Sequence, residues 1–231
     1  MAADRPLAGV TVAFDLDGTL VDTAPDLIGT LNHLLVEDGL PALPLAQARP
    51  FIGHGARHLI QLGFQAAGQT LHPTRLEQMF ERFIPHYRDR IALESRPFPG
   101  CEAALDDLAA SGATLCVCTN KPSDLSEAVL GQLGLASRFA AIVGPDRAPA
   151  PKPDAAHMQA AVAAAGGEIA RAILVGDSGT DAGAARAAGT GLILVAFGYT
   201  EIPVADLNAD ALIAHYDELP AACLRVAGST G

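Results

Sequence analysis

The sequence has few basic residues, few cysteines and no long apolar run, and each shortage closes off a class of function. Only 15 Lys and Arg stand against 26 Asp and Glu, a net charge of −11. A chain this acidic has no bulk attraction for nucleic acid or anionic lipid, so neither is an expected partner, although a local basic pocket stays open. The four cysteines, Cys101, Cys116, Cys118 and Cys223, lack the paired CxxC spacing of a zinc site and sit mostly inside apolar runs, which predicts reduced, buried thiols. No apolar run approaches the roughly 18 residues of a membrane span. The opening MAADRPLAGV has no apolar stretch of signal-sequence length, and a cytoplasmic location is expected. With 23 glycines, 16 prolines and 50% hydrophobic residues, the chain is neither collagen-like nor disordered and can bury a core. Its 231 residues suit one large unit or a core with a smaller module.

Short apolar runs alternate with helical patterns. The runs are Val10 to Phe14, Thr114 to Cys118, Ala140 to Val143, Ala172 to Val175, Leu192 to Ala196 and Ala211 to Ile213. Such alternation predicts an α/β fold, a Rossmann-like parallel sheet flanked by helices. Runs such as AILVG and LILVA are continuously apolar, as strands covered on both faces should be. From about Ala24 to Ala92 only helical periodicity occurs. Leu27, Leu31, Leu34 and Leu35 recur at helix spacing, Thr23-x-x-Asp26 resembles a capping box, and Gly39 can end the helix. Further helices are expected near Ala56 to Ala66 and Pro73 to Arg90. The division expected is a core of residues 1–23 and 93–231 with an inserted all-α unit, 24–92, joined by linkers at Asp22–Pro25 and Ser95–Gly100.

Chemistry gathers at strand ends, where loops of a parallel sheet open onto the ligand crevice. The first strand closes Phe14-Asp15-Leu16-Asp17-Gly18-Thr19. In extended chain Asp15 and Asp17 point to one side, a pair able to hold a divalent cation and keep a carboxylate ionised as nucleophile. A solvated turn would also use Asp, Gly and Thr, but it accounts poorly for two acids straight after VTVAF. A second acidic strand end, Gly176-Asp177-Ser178-Gly179-Thr180-Asp181, opens a small-residue helix. Taken singly, this is a helix cap with a dipole-favoured acid. Cys118-Thr119-Asn120-Lys121 puts a hydroxyl and an amide at the crevice, and Lys152 stands between Pro151 and Pro153, which stiffen its backbone.

DxDGT, a Thr after the second apolar strand, PKP and GDxxxD, in that order, resemble the four motifs of the haloacid dehalogenase-like phosphohydrolase superfamily, over about Val10 to Ile213. The resemblance implies phosphoryl transfer through an aspartyl-phosphate. It makes Asp15 the nucleophile and Asp17 the general acid and base. It implies Mg²⁺ held by Asp15, the backbone carbonyl of Asp17, and Asp177. Thr119 and Asn120 would hold phosphoryl oxygens, Lys152 would offset charge, and Asp181 would orient Lys152 or a metal-bound water. The superfamily's dehalogenases lack the second acid, so Asp17 implies a phosphatase or phosphomutase. The helical insertion resembles the cap of small-molecule phosphatases. Within it, Arg49-Pro50-Phe51-Ile52-Gly53-His54-Gly55-Ala56-Arg57 resembles the glycine-containing substrate loop of bacterial phosphoglycolate phosphatases, as do CTNKP and the late FGY their motifs. Gly53 and Gly55 amides at a helix start suit an anion, and Arg57 can reach a carboxylate; a plain interhelical turn with a surface arginine fits as well.

The expected partner is a small phosphorylated metabolite, 2-phosphoglycolate first, handled by a monomer or homodimer. Another sugar- or amino-sugar-phosphate phosphatase, such as one for N-acetylmuramate 6-phosphate, remains open. So does a β-phosphoglucomutase-type mutase, and, in a different class, a non-catalytic phospho-aspartate regulator. His33, His72, His86, His157 and His215 are expected at the surface or on helix faces. Residues 24–92 hold as many arginines as acids, so the excess negative charge belongs to the core, and the six arginines are expected to close over it.

Overall fold

A computed structural model describes residues 5–53, 55–200 and 202–229. Six parallel strands make the central sheet: β1 (Thr11–Phe14), β4 (Thr114–Cys118), β5 (Ala141–Val143), β6 (Ala172–Gly176), β7 (Gly191–Val195) and β8 (Ala211–Ile213), in the order β5-β4-β1-β6-β7-β8. β1 lies between β4 and β6, so the ends of these three strands open side by side. The intervening β2 (Val21–Asp22) and β3 (Arg96–Pro97) form a separate antiparallel ribbon, Asp22 opposite Arg96.

Side-chain alternation divides the core between the two sheet faces. Ala13, Cys116, Cys118, Leu174 and Leu194 pack toward α7 (Ala155–Ala164) and α8 (Gly179–Ala188). Val12, Phe14, Val117, Val175 and Val195 face the larger cluster, which includes α5 (Cys101–Ala110) and α9 (Leu219–Ser229). α6 (Ser123–Gln132) follows β4 and packs against β5. All four cysteines are free and buried, and burial pushes the Cys101, Cys118 and Cys223 thiols up to about 12. Reduced packing thiols are thus what the structure holds.

Between β2 and β3 lie α1 (Ala24–Glu37), the short α2 (Leu45–Ala48), α3 (Ala56–Ala66) and α4 (Pro73–Asp89). α1, α3 and α4 pack on one another through Leu31, Leu34, Leu35, Leu59, Ile60, Phe64, Met79 and Phe83, all buried as the helical spacing requires. The capping box expected at Thr23 and Asp26 does not form. Thr23 donates its hydroxyl to Asp17, and Asp26 is drawn across the ribbon by Glu94 N, Ser95 N and Ser95 Oγ. Both side chains have better buried partners than a local helix end offers. Among the described residues no helix is long and apolar enough to cross a membrane.

Candidate active site

Asp15 is the first residue beyond β1, and its N–H still donates to Val175 O, so the strand ladder fixes its backbone. Asp177 follows β6 directly, and Asp181 sits in the first turn of α8, where it shares a reciprocal capping box with Ser178. The carboxylates of Asp15, Asp177 and Asp181 converge to within 4.8 Å of one another, all buried. Glycines make the convergence possible. Gly18 turns at φ +84°, and a Cβ there would meet Asp177 Oδ2 at 2.4 Å; one on Gly198 would meet Asp177 Cβ at 2.2 Å.

Lys152 reaches this cluster from the loop before α7. Its Nζ donates to Asp181 Oδ1 at 2.6 Å and lies 3.0 Å from Asp15 Oδ1. The second contact is a charge contact without hydrogen-bond alignment, and Asp15 Oδ1 is the buried side-chain oxygen left with no hydrogen bond among the described residues. Burial raises the Asp15 carboxyl to about 6, a rise opposed by Lys152 and reinforced by Asp181 and Asp17. Burial, then repulsion from Asp181 and Asp15, raises Asp177 well above the carboxylate range. Burial would lower Lys152, but the attraction of Asp15 and Asp181 outweighs it and holds the ammonium above its ordinary value.

Those properties fit a divalent cation. Asp181 is already satisfied, Oδ1 by Lys152 and Oδ2 by Ser178 and the amides of residues 177 and 178. Asp15 keeps an unbonded oxygen. Asp177 accepts from Tyr199 N at 2.6 Å and from Thr19 Oγ1 at 3.3 Å, leaving lone pairs free on both oxygens.

Asp17 points elsewhere. Its Oδ1 accepts from Thr23 Oγ1 at 2.6 Å and from the buried Lys121 Nζ at 3.1 Å, and Lys121 also donates to Tyr87 OH of α4 at 2.8 Å. Lys121 was not assigned a role from sequence. The available signal is a lysine directly after a polar strand end and held by Pro122, but its partners lie far away in the chain. Thr119 is buried, its Oγ1 accepting from Lys121 N. Asn120 differs from expectation in its partners: Oδ1 accepts from Lys152 N and Nδ2 donates to Lys152 O, so the amide grips the lysine loop. His157 lies on a helix face, in α7, and that face is turned into the core. The side chain is fully buried, its Nδ1 accepting from Lys152 N at 3.0 Å while Nε2 lies 3.2 Å from Val143 O.

A cavity of about 260 Å³ joins the strand ends to the helical insertion. Asp15, Asp17, Thr119, Asn120 and Lys121 line it from the sheet side, and Gly53, Gly55, Arg57, Phe80 and Tyr87 line it from the other. Gly53 and Gly55 adopt φ +115° and +86°, the left-handed region that the loop demands. Arg57 makes a bidentate pair with Glu77, at 2.8 Å for each bond. The six insertion arginines do not close over the core's charge as a set: Arg49 pairs with Asp22, Arg57 with Glu77, Arg75 with Asp38, Arg82 with Glu37, Arg88 with Asp124 and Arg90 with Glu94. Arg57, Arg75 and Arg82 are taken by carboxylates of the insertion itself, while Arg49, Arg88 and Arg90 reach Asp22 of β2, Asp124 of α6 and Glu94 at its edge rather than the acidic strand ends. His54 lies outside the described residues.

Acidic strand ends around a buried lysine thus stand on a parallel α/β sheet, with a helical insertion between β2 and β3. The chain belongs to the haloacid dehalogenase-like hydrolase family, whose model matches residues 12–195. A phosphoglycolate phosphatase from Caulobacter vibrioides is 50% identical over 224 residues, covering 97% of this chain and 94% of that one. One from Agrobacterium fabrum is 42% identical, with 98% and 97% covered. The crystal structure of a predicted phosphoglycolate phosphatase from Haemophilus somnus superposes with a TM-score of 0.83 at 27% identity, covering 92% of this chain and 96% of that chain.

Proposed function

We propose that this protein is a Mg²⁺-dependent phosphomonoester hydrolase that cleaves 2-phosphoglycolate to glycolate and phosphate. The observation that carries the reading is the Asp15 oxygen: buried, free of hydrogen bonds, 3.0 Å from a buried ammonium, on a residue that lines a cavity. The names of the close relatives favour the substrate.

In this reading residues 24–92 are the cap and 1–23 with 93–231 the catalytic core. The Asp15 and Asp177 carboxylates, with the Asp17 carbonyl, hold Mg²⁺. When bound, the cation offsets the negative charge of Asp15 and the phosphoryl oxygens so that two anions can meet. Asp15 attacks phosphorus as the bond to the glycolate oxygen breaks, and Asp17, having taken up a proton from solvent before the step, gives it to that oxygen. Asp17 then takes a proton from water, which attacks phosphorus and breaks the bond to Asp15, releasing phosphate and restoring the carboxylate. Lys152 balances charge on Asp15 throughout, fixed by Asp181, Asn120 and His157. Thr119 receives a phosphoryl oxygen. The free thiols suit the cytoplasm.

Phosphate release should be measured across 2-phosphoglycolate, N-acetylmuramate 6-phosphate, pyrophosphate and hexose phosphates. The highest kcat/KM is expected for 2-phosphoglycolate, and Asp15→Asn should abolish turnover while keeping the native circular dichroism. A low rank for 2-phosphoglycolate overturns the substrate; an active Asp15→Asn overturns the nucleophile. Isomerised sugar phosphate in place of free phosphate would make the protein a mutase.

A further inference from the structure

The cavity is lined by two cations among the described residues, Arg57 and Lys121. Lys121 is occupied by Asp17 and Tyr87. Arg57 is held differently. Glu77 takes Nε–H through Oε1 and one Nη2–H through Oε2, and the guanidinium carbon lies 3.6 Å from the centre of the Phe80 ring. A guanidinium has five N–H donors in one rigid plane, so two are used and three remain on Nη1 and Nη2. Arg57 and Phe80 line the cavity, whereas Glu77 is not one of its lining residues. The carboxylate therefore grips the fork from behind, and the aromatic face sets its plane.

We propose that Glu77 and Phe80, three residues apart on α4, are positioning residues for substrate specificity, holding Arg57 so that its three remaining donors take the carboxylate of a carboxylated phosphomonoester. This rests on the substrate reading above. It explains why an arginine 52% exposed at its side chain is clamped twice, when a loose surface arginine would lose several rotamers on meeting an anion. Glu77 lies near a substrate anion in this arrangement, and the two carboxylates are tolerated because the guanidinium stands between them as a bridge.

The test compares 2-phosphoglycolate with 2-hydroxyethyl phosphate, which is of like length but has no carboxylate. Wild-type protein, Glu77→Gln, Glu77→Asp, Phe80→Leu and Arg57→Ala are assayed as full chains, with folding checked by circular dichroism. Glu77→Gln should raise KM for 2-phosphoglycolate about three- to tenfold, the scale of weakening one charge-assisted contact. Its KM for 2-hydroxyethyl phosphate should hold steady. Phe80→Leu should move the same way, Glu77→Asp should recover part of the loss, and Arg57→Ala should erase the preference between the two substrates. An equal change for both substrates, no change, or a fall in KM with Glu77→Gln overturns the proposal, the last by showing that Glu77 competes with substrate. A wild-type protein with no preference for the carboxylated ester overturns the substrate reading itself, and the inference falls with it.

Discussion

Lys152 donates to Asp181 at 2.6 Å with both side chains sealed from solvent. Removing either partner of such a pair leaves an uncompensated buried charge, which costs about 3–5 kcal/mol. Lys152→Met should therefore lose stability on that scale in urea unfolding as well as activity. Adding Asp181→Asn should restore part of the stability and none of the turnover. Additive losses in the double variant would show that the two groups are not coupled.

Mg²⁺ should stabilise the protein as well as activate it. Burial and mutual repulsion raise Asp15 and Asp177, so a divalent cation relieves a strain present in the unliganded cluster. At a hundredfold excess over Kd the gain is about 2.7 kcal/mol, which for a chain of this size lifts Tm by on the order of 5–10 °C. EDTA should silence the enzyme, and Asp177→Asn should lose both the Tm rise and the activity. Full activity in EDTA would remove the metal from the mechanism.

His157 predicts a loss of stability in mild acid. Burial first, then the Lys152 charge, lowers the imidazole from 6.5 to about 4. As pH falls below 6.5 the unfolded chain takes up a proton that the folded chain refuses until about 4, so stability is lost across that window and the loss is complete below it. The upper limit is about 3 kcal/mol. Urea midpoints at pH 7.5, 5.5 and 4.5 should fall more steeply for the wild type than for His157→Gln. Equal slopes would mean that other groups govern the acid limb.

The Lys121 link between Asp17 and Tyr87 should matter to turnover. Lys121→Met leaves the Asp17 carboxylate, only 15% exposed, with Thr23 alone. Acid–base catalysis contributes roughly 10²–10⁴, and loss of its alignment should lower kcat about ten- to a hundredfold, with a smaller effect from Tyr87→Phe. An unchanged kcat in Lys121→Met would reduce the lysine to packing.

The six strands of the parallel sheet and the acidic strand ends were legible because local pattern determines them, whereas the two-residue strands β2 and β3 fell where linkers were expected. Thr114 to Cys118 and Ala211 to Ile213 match β4 and β8 to the residue, and α3 begins and ends where its periodicity does. Partners distant in sequence were not. Lys121 meets Asp17 across 104 positions and Tyr87 across 34, and no local period reports such a meeting. The burial of His157 was illegible for a related reason: alanines precede it on α7, so no polar face marks which side meets the core. Thr23 and Asp26 have the spacing of a cap, and only tertiary structure shows the stronger partners that claim them.

The antiparallel ribbon of β2 and β3 sets Asp22 beside Arg96, so everything from Thr23 to Ser95 leaves and rejoins the sheet through one doorway. The ends of the excursion thus lie side by side, as a domain graft requires, and a graft would also have to replace the bonds that Thr23, Tyr87 and Arg88 make to Asp17, Lys121 and Asp124. A different helical unit with closely spaced ends could be spliced at the same doorway, giving the strand ends new substrates while the sheet's register stayed as it is.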